Sequence, residues 1–334
     1  MSRRKLTVVL SQAQGKNPAK RALEESITAA LLLESGIDVS IVPSLYDMDA
    51  NHSGRLYLEG IRGDLVFLSW MYPRATFWML DRAGIKGHYG ENRIAKKPEQ
   101  EQEEDDSGEP VESKGIGAVN VPDRTIYCLD LRDYSDHRVY IEEIKRIAEE
   151  CAAAKASKTP LLQLGLITPE PSAPAKTFTP EELLAPTGRR WYPVIDYSRC
   201  TNCMECLDFC LFGVYGVDSL DRIVVENQDS CKKGCPACSR VCPEHAIMFP
   251  EHKTPAIAGA PVAAPSGLKI DLTKLFGGSD ALALAAAERD SELVKEGRQA
   301  VGLSVGIPKR QASKPQAPKD DLDRLMDELD ALEI

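Results

Sequence analysis

Eight cysteines fall between residues 200 and 242 in two runs, Cys200-x2-Cys203-x2-Cys206-x3-Cys210 and Cys231-x3-Cys235-x2-Cys238-x3-Cys242, the second followed by Pro243. Thiolates two residues apart on one tight loop reach several corners of a single iron–sulfur cubane. The fourth cysteine of each run begins the next turn and points toward the neighbouring site, so two runs make two four-thiolate sites. Their chemistry would be the exchange of single electrons. Zinc also accepts four thiolates, but a zinc ribbon separates its two cysteine pairs widely, whereas here four cysteines crowd one short run, twice. The outlying Cys128 and Cys151 lie on apolar strand-like and helix-like faces and read as core thiols.

The sequence repeats around the two runs. Val194-Ile195 before the first corresponds to Val224-Val225 before the second, and Val214-Tyr215 after it to Ala246-Ile247. Each half reads strand, cysteine loop, short helix, strand. At these residues, within 190–252, the chain resembles the bacterial two-cluster ferredoxin family. The resemblance implies a small α+β ferredoxin-like domain holding two four-iron four-sulfur clusters. One would be bound by Cys200, Cys203, Cys206 and Cys242, the other by Cys231, Cys235, Cys238 and Cys210. It also implies an electron carrier or redox subunit that passes single electrons to or from partner proteins. Two features depart from the family: Lys232-Lys233-Gly234 spans a gap of usually two residues, and Leu211 stands where a proline commonly follows the fourth cysteine. Gly234 can supply the backbone angles a lengthened loop needs.

The rest of the chain must position this module. Residues 1–165 alternate strand and helix signals: strand-like Lys5–Leu10, Asp38–Val42, Asp64–Trp70 and Thr125–Leu129, with helices over Pro18–Glu34, after Pro73 and over Asp136–Ala156. Leu23, Ile27, Ala30 and Leu31 mark one helical stripe, and Ile141, Ile144, Ile147 and Cys151 another, with Ser135 as its expected cap. The pattern predicts an α/β domain with a mainly parallel sheet and Rossmann- or flavodoxin-like layering. Within it, residues 96–113 are acidic and aperiodic, a solvated loop. Residues 166–189 are a Pro- and Thr-rich linker. Residues 253–334 comprise an Ala/Pro linker, a helix from about Ser279 to Ala300, and a tail.

In a parallel sheet, ligands bind beyond the carboxyl ends of the strands. Ser11, Gly15 and Lys16 in the loop SQAQGKN are the candidates there for a phosphate or flavin; an ordinary polar turn is the other reading. Neither GxxxxGK[ST] nor GxGxxG is present. Asp47–Leu58 lacks the glycine and glutamate of a calcium loop. Trp70, Tyr72, Phe77 and Trp78 read as packing around a helix start, and His137 with Asp133 and Asp136 as a solvated helix start. No catalytic residue stands out. The alternatives to an electron carrier are an oxidoreductase with flavin or substrate in this domain, and an interaction protein with structural clusters.

The net charge of −10 argues against nucleic acid as a general partner. No apolar run is long enough for a membrane span, and the Arg3-Arg4 start lacks the apolar stretch of an export signal, so a cytoplasmic location is expected. In residues 320–334, Leu322, Leu325, Met326, Leu329 and Leu332 share one helical face among acidic residues. Such a tethered amphipathic helix either docks in a partner's groove or folds back on its own chain.

Overall fold

The computed structural model describes residues 5–95, 115–157, 178–261 and 281–305. The acidic stretch 96–113, most of the linker before residue 178 and the amphipathic segment 320–334 lie outside the described residues.

Strands β1 (Leu6–Ser11), β2 (Ile37–Val42), β3 (Leu65–Ser69), β4 (His88–Gly90) and β5 (Thr125–Asp130) form one sheet in the order β2-β1-β3-β5-β4. Every pairing in it is parallel. Parallel neighbours require crossovers, which helices α1 (Pro18–Leu32), α2 (Ser53–Gly60), α3 (Pro73–Arg82) and α4 (His137–Ser157) accompany. Side chains alternate across the pleat. Leu6, Val8 and Leu10 therefore meet Ile27 of α1 and Ile144 of α4 on one face. Val9, Leu65 and Phe67 meet Leu58 of α2 and Trp78 and Leu80 of α3 on the other. The α/β domain expected from the alternating signals is present, with β4 and α2 added. Cys128 and Cys151 sit in these two cores. At the start of α4 the cap is Asp136, whose carboxylate accepts the N–H of Arg138 at 2.9 Å, in place of Ser135.

After α5 (Pro180–Leu183) come two short halves: β6 (Val194–Ile195), α6 (Glu205–Phe209) and β7 (Tyr215–Val217), then β8 (Ile223–Val225), α7 (Ala237–Val241) and β9 (Ile247–Met248). The first strand of one half pairs antiparallel with the last of the other, β6 with β9, and β7 pairs with β8. This cysteine-bearing part does not hang from a free linker. Thr179 caps α5 with a reciprocal Glu182 contact, and His52 meets the carbonyl of Ala185 at 3.0 Å. Residues 255–258 form α8, and the carbonyl of Ile257 accepts the N–H of Phe249, so the start of the Ala/Pro segment folds back on β9. Helix α9 (Ala281–Lys295) lies against α7.

Tyr192, Val194 and Met248 belong to the same apolar cluster as Val9, Phe67 and Trp78, so the two parts share a core. Tyr46 and Tyr192 stack with ring centroids 4.4 Å apart and exchange hydrogen bonds with each other's backbone. Arg74 donates to Asp196 at 2.5 Å and to the carbonyl of His245 at 2.6 Å. Residues 115–117 run along residues 197–200 through backbone hydrogen bonds. A Cβ on Gly115 would come within 2.2 Å of the Ser198 backbone, so only glycine permits that approach. Among the described residues no helix is long and apolar enough to cross a membrane.

Candidate metal centre

The loop 200–204 folds tightly after β6, with Asn202 and Met204 at φ +59° and +64°. Neither is glycine, and such left-handed residues cost on the order of 1–3 kcal/mol each unless the surroundings demand them. The N–H of Asn202 faces Cys200 and that of Leu207 faces Cys206, donors that favour negative charge on those sulfurs. Asn202 also ties the loop across the module: its Oδ1 accepts the N–H of Ile223 at 2.9 Å, and its amide donates to the carbonyl of Asp221 at 2.7 Å. In the second loop Gly234 takes φ +88°, the left-handed conformation expected of the longer spacing.

The eight thiols sort into two quartets. One cavity is lined by Cys200, Cys203, Cys206 and Cys242, the other by Cys210, Cys231, Cys235 and Cys238. Each takes three cysteines from one run and the fourth from the other. Among the described residues no group of three or more His, Cys, Asp or Glu side chains is placed to hold a metal ion.

Ile195, Ile223, Ala246 and Ile247 wall the first cavity, and Val214, Tyr215, Phe209 and Ala237 the second. That apolar setting raises the thiols. Burial, then the neighbouring Cys242 and Cys203, pushes Cys200 up to about 11. Burial also brings Cys235 to about 11 and lifts Cys206, Cys231 and Cys238 further. Four thiolates so placed repel one another, and they would all be held deprotonated only with a cationic metal among them. Backbone N–H groups of Phe212, Gly213 and Val214 face Cys210, and those of Glu244, Ala246 and Ile247 face Cys242. These donors favour negative charge on sulfur. Four thiols lining one cavity, with backbone donors facing Cys210 and Cys242, are a donor set that would fit a thiolate-bound metal group.

Three partners of the quartets carry no spacing signal in the sequence. The Tyr215 hydroxyl donates to Sγ of Cys238 at 3.1 Å. Trp191 stacks on Phe249 at 5.1 Å and donates to the carbonyl of Cys235 at 3.3 Å. Arg289 of α9 lines the second cavity, is 1 % exposed, and lies over Phe209 with its guanidinium carbon 4.6 Å from the ring centroid.

The loop candidates in the α/β domain are not assembled in the same way. Ser11 is buried and spends its hydroxyl on the carbonyl of Pro43 and the N–H of Leu45. Gly15 and Lys16 are exposed. Asn17 caps α1 by accepting the N–H groups of Ala19 and Lys20, donors a phosphate there would need. Phe77 and Trp78 are core residues, and Trp70 donates to buried Glu24 at 2.8 Å. His137 stands half exposed, 3.7 Å from Asp136. Compared with models of protein families, with curated proteins and with solved structures, the chain gives no match.

Proposed function

We propose that this chain is an electron-transfer protein carrying two four-iron four-sulfur clusters, related to the bacterial two-cluster ferredoxins through residues 190–252. The observation that carries the reading is the crossed sorting of the thiols, three from one run with the fourth from the other in each cavity. The strand–helix–strand halves and the backbone donors facing Cys210 and Cys242 support it. Such clusters supply reversible one-electron chemistry when bound. The protein's own part is to give up the thiol protons, to direct N–H donors at sulfur, and to exclude water with Ile195, Ile223 and Ile247. Thr201 on the first loop and Lys233-Gly234 on the second are exposed, so both loops reach the surface where a redox partner would dock. A carrier or redox subunit acting in the cytoplasm fits these features better than a stand-alone enzyme.

Protein isolated without oxygen should contain about eight iron and eight labile sulfide per chain, four of each per cubane. Cys242→Ala should perturb the site of Cys200, Cys203 and Cys206, and Cys210→Ala that of Cys231, Cys235 and Cys238. Two zinc without sulfide, or spectra in which each substitution harms only the site of its own run, would overturn the proposal.

A further inference from the structure

A cavity of about 620 Å³ opens where the end of α3 and the start of α2 face β8 and the turn after it. Small-molecule sites commonly occupy roughly 300–1,000 Å³. The α/β side of this cavity carries Arg55, Arg82 and Lys86, and the facing side carries Arg222, Glu226 and Asp229. Most of these charges are accounted for. Lys86 meets Asp81 at 3.5 Å, Arg222 forks onto Asp218, and Asp229 pairs with Arg190. Arg55 reaches only Glu59, at 3.5 Å through Nε.

Arg82 is different. Among the described residues its guanidinium has no carboxylate partner. Its polar contact is a long one, 3.5 Å to the carbonyl of Val225, and its face lies 4.8 Å from the Tyr192 ring centroid. Arg190 stands over the same ring at 5.7 Å. Burial lowers the pKa of Arg82; Tyr192 works against that, and the like charges of Arg55 and Arg190 add to the lowering. Two guanidiniums over one buried ring, with Arg55 adding like charge and Arg82 without a carboxylate, leave positive charge uncompensated at Arg82. A bound oxyanion relieves it, because the guanidinium fork matches a phosphate or carboxylate with two parallel hydrogen bonds.

We propose that this cavity binds a small molecule through a phosphate or carboxylate group, received by the fork of Arg82 with Arg55 beside it. Glu226, exposed on the facing wall, sets a negative charge in the same cavity and opposes an anionic ligand there. Ile195 lines both this cavity and the first cysteine quartet, so the ligand is separated from that quartet by a single side chain. The inference concerns the cavity alone and stands whether or not the thiols hold iron.

The test is calorimetric titration of the full chain at low ionic strength with inorganic phosphate, pyrophosphate and citrate, alongside ligand-free thermal unfolding. Wild-type protein should bind at least one probe. Arg82→Gln and Arg82→Lys should each weaken binding at least tenfold, since an ammonium cannot form the fork, and Glu226→Gln should tighten it severalfold. Neither Arg82 variant should unfold at a lower temperature than wild type without ligand. Binding of the phosphates alone assigns a phosphorylated ligand, and binding of citrate alone a carboxylate. No binding of any probe, or binding unchanged in both Arg82 variants, would overturn the inference. A loss of ligand-free stability with binding intact would show Arg82 to be a packing residue and overturn it equally.

Discussion

The hydroxyl of Tyr215 reaches Sγ of Cys238 in a core where the ring is 7 % and the cysteine 8 % exposed. A donor aimed at sulfur in so dry a place stabilises the more negative state of whatever the sulfur binds. Tyr215→Phe keeps the ring in its packing and removes only the donor. In iron-loaded protein the midpoint potential of the second site should fall by about 20–60 mV, the electrical equivalent of the ~0.5–1.5 kcal/mol of one hydrogen bond. Potentiometric titration with spectroscopic readout checks this, and the first site, with no tyrosine among the described residues that line it, serves as the internal control. Arg289 acts on the same quartet as a fixed positive charge, lowering the Cys210 pKa against the burial that raises it. Its donors are held by the carbonyls of Gly302 and Val305 and the carboxylate of Asp290, so the charge cannot swing away.

Helix α9 holds that arginine, and its small residues explain how it comes so close. Ala285 is fully buried against Phe209, Ala237 and Val241, and Ala286, Arg289 and Leu293 continue the contact strip. Lys232 pairs with Glu296, and Arg298 donates to the carbonyl of Leu211 at 3.1 Å, so the end of the helix clasps both departures from the ferredoxin pattern. Ala285→Leu should overpack this seam and cost about 1–3 kcal/mol, while Leu284→Ala, at a position 37 % exposed, should change stability by less than ~0.5 kcal/mol. Denaturant midpoints of the two variants decide it. The sequence announces the helix through its alanines and leucines but not its partner, because alanine patterning is equally suited to a tail in solvent. The four main strands were legible because their apolar runs are long; β4, His-Tyr-Gly at a sheet edge with two exposed residues, carries no such signal. The cysteine spacing marks the two thiol runs directly. Arg82 and Tyr215 take their meaning from chain crossings that no local pattern encodes.

At the scale of the molecule, the seam between sheet and cysteine module combines apolar packing with buried charge. Asp47 is 6 % exposed, accepts the N–H of Arg190 at 3.1 Å, and has its pKa raised by burial despite that bond and the nearby Arg189. Between the ordinary value of 3.8 and the raised one, the folded state therefore binds more protons than the unfolded state. Stability from this group is greatest below the ordinary value and declines as pH rises through the window. Asp47→Asn keeps an acceptor for Arg190 without the charge. The variant should match wild type in acid and gain on it toward neutral pH, as unfolding midpoints across that range will show. The crossing of the quartets bears on time as well as space. Cys242 is the last cysteine of the sequence, and thirty-six positions separate it from Cys206, the third thiol of its quartet. At a synthesis rate of about 5–20 residues per second, the first three thiols wait ~2–7 s for their fourth. During that interval the emerging chain presents an open three-thiol claw, and the site that comes first in the sequence is the last to close.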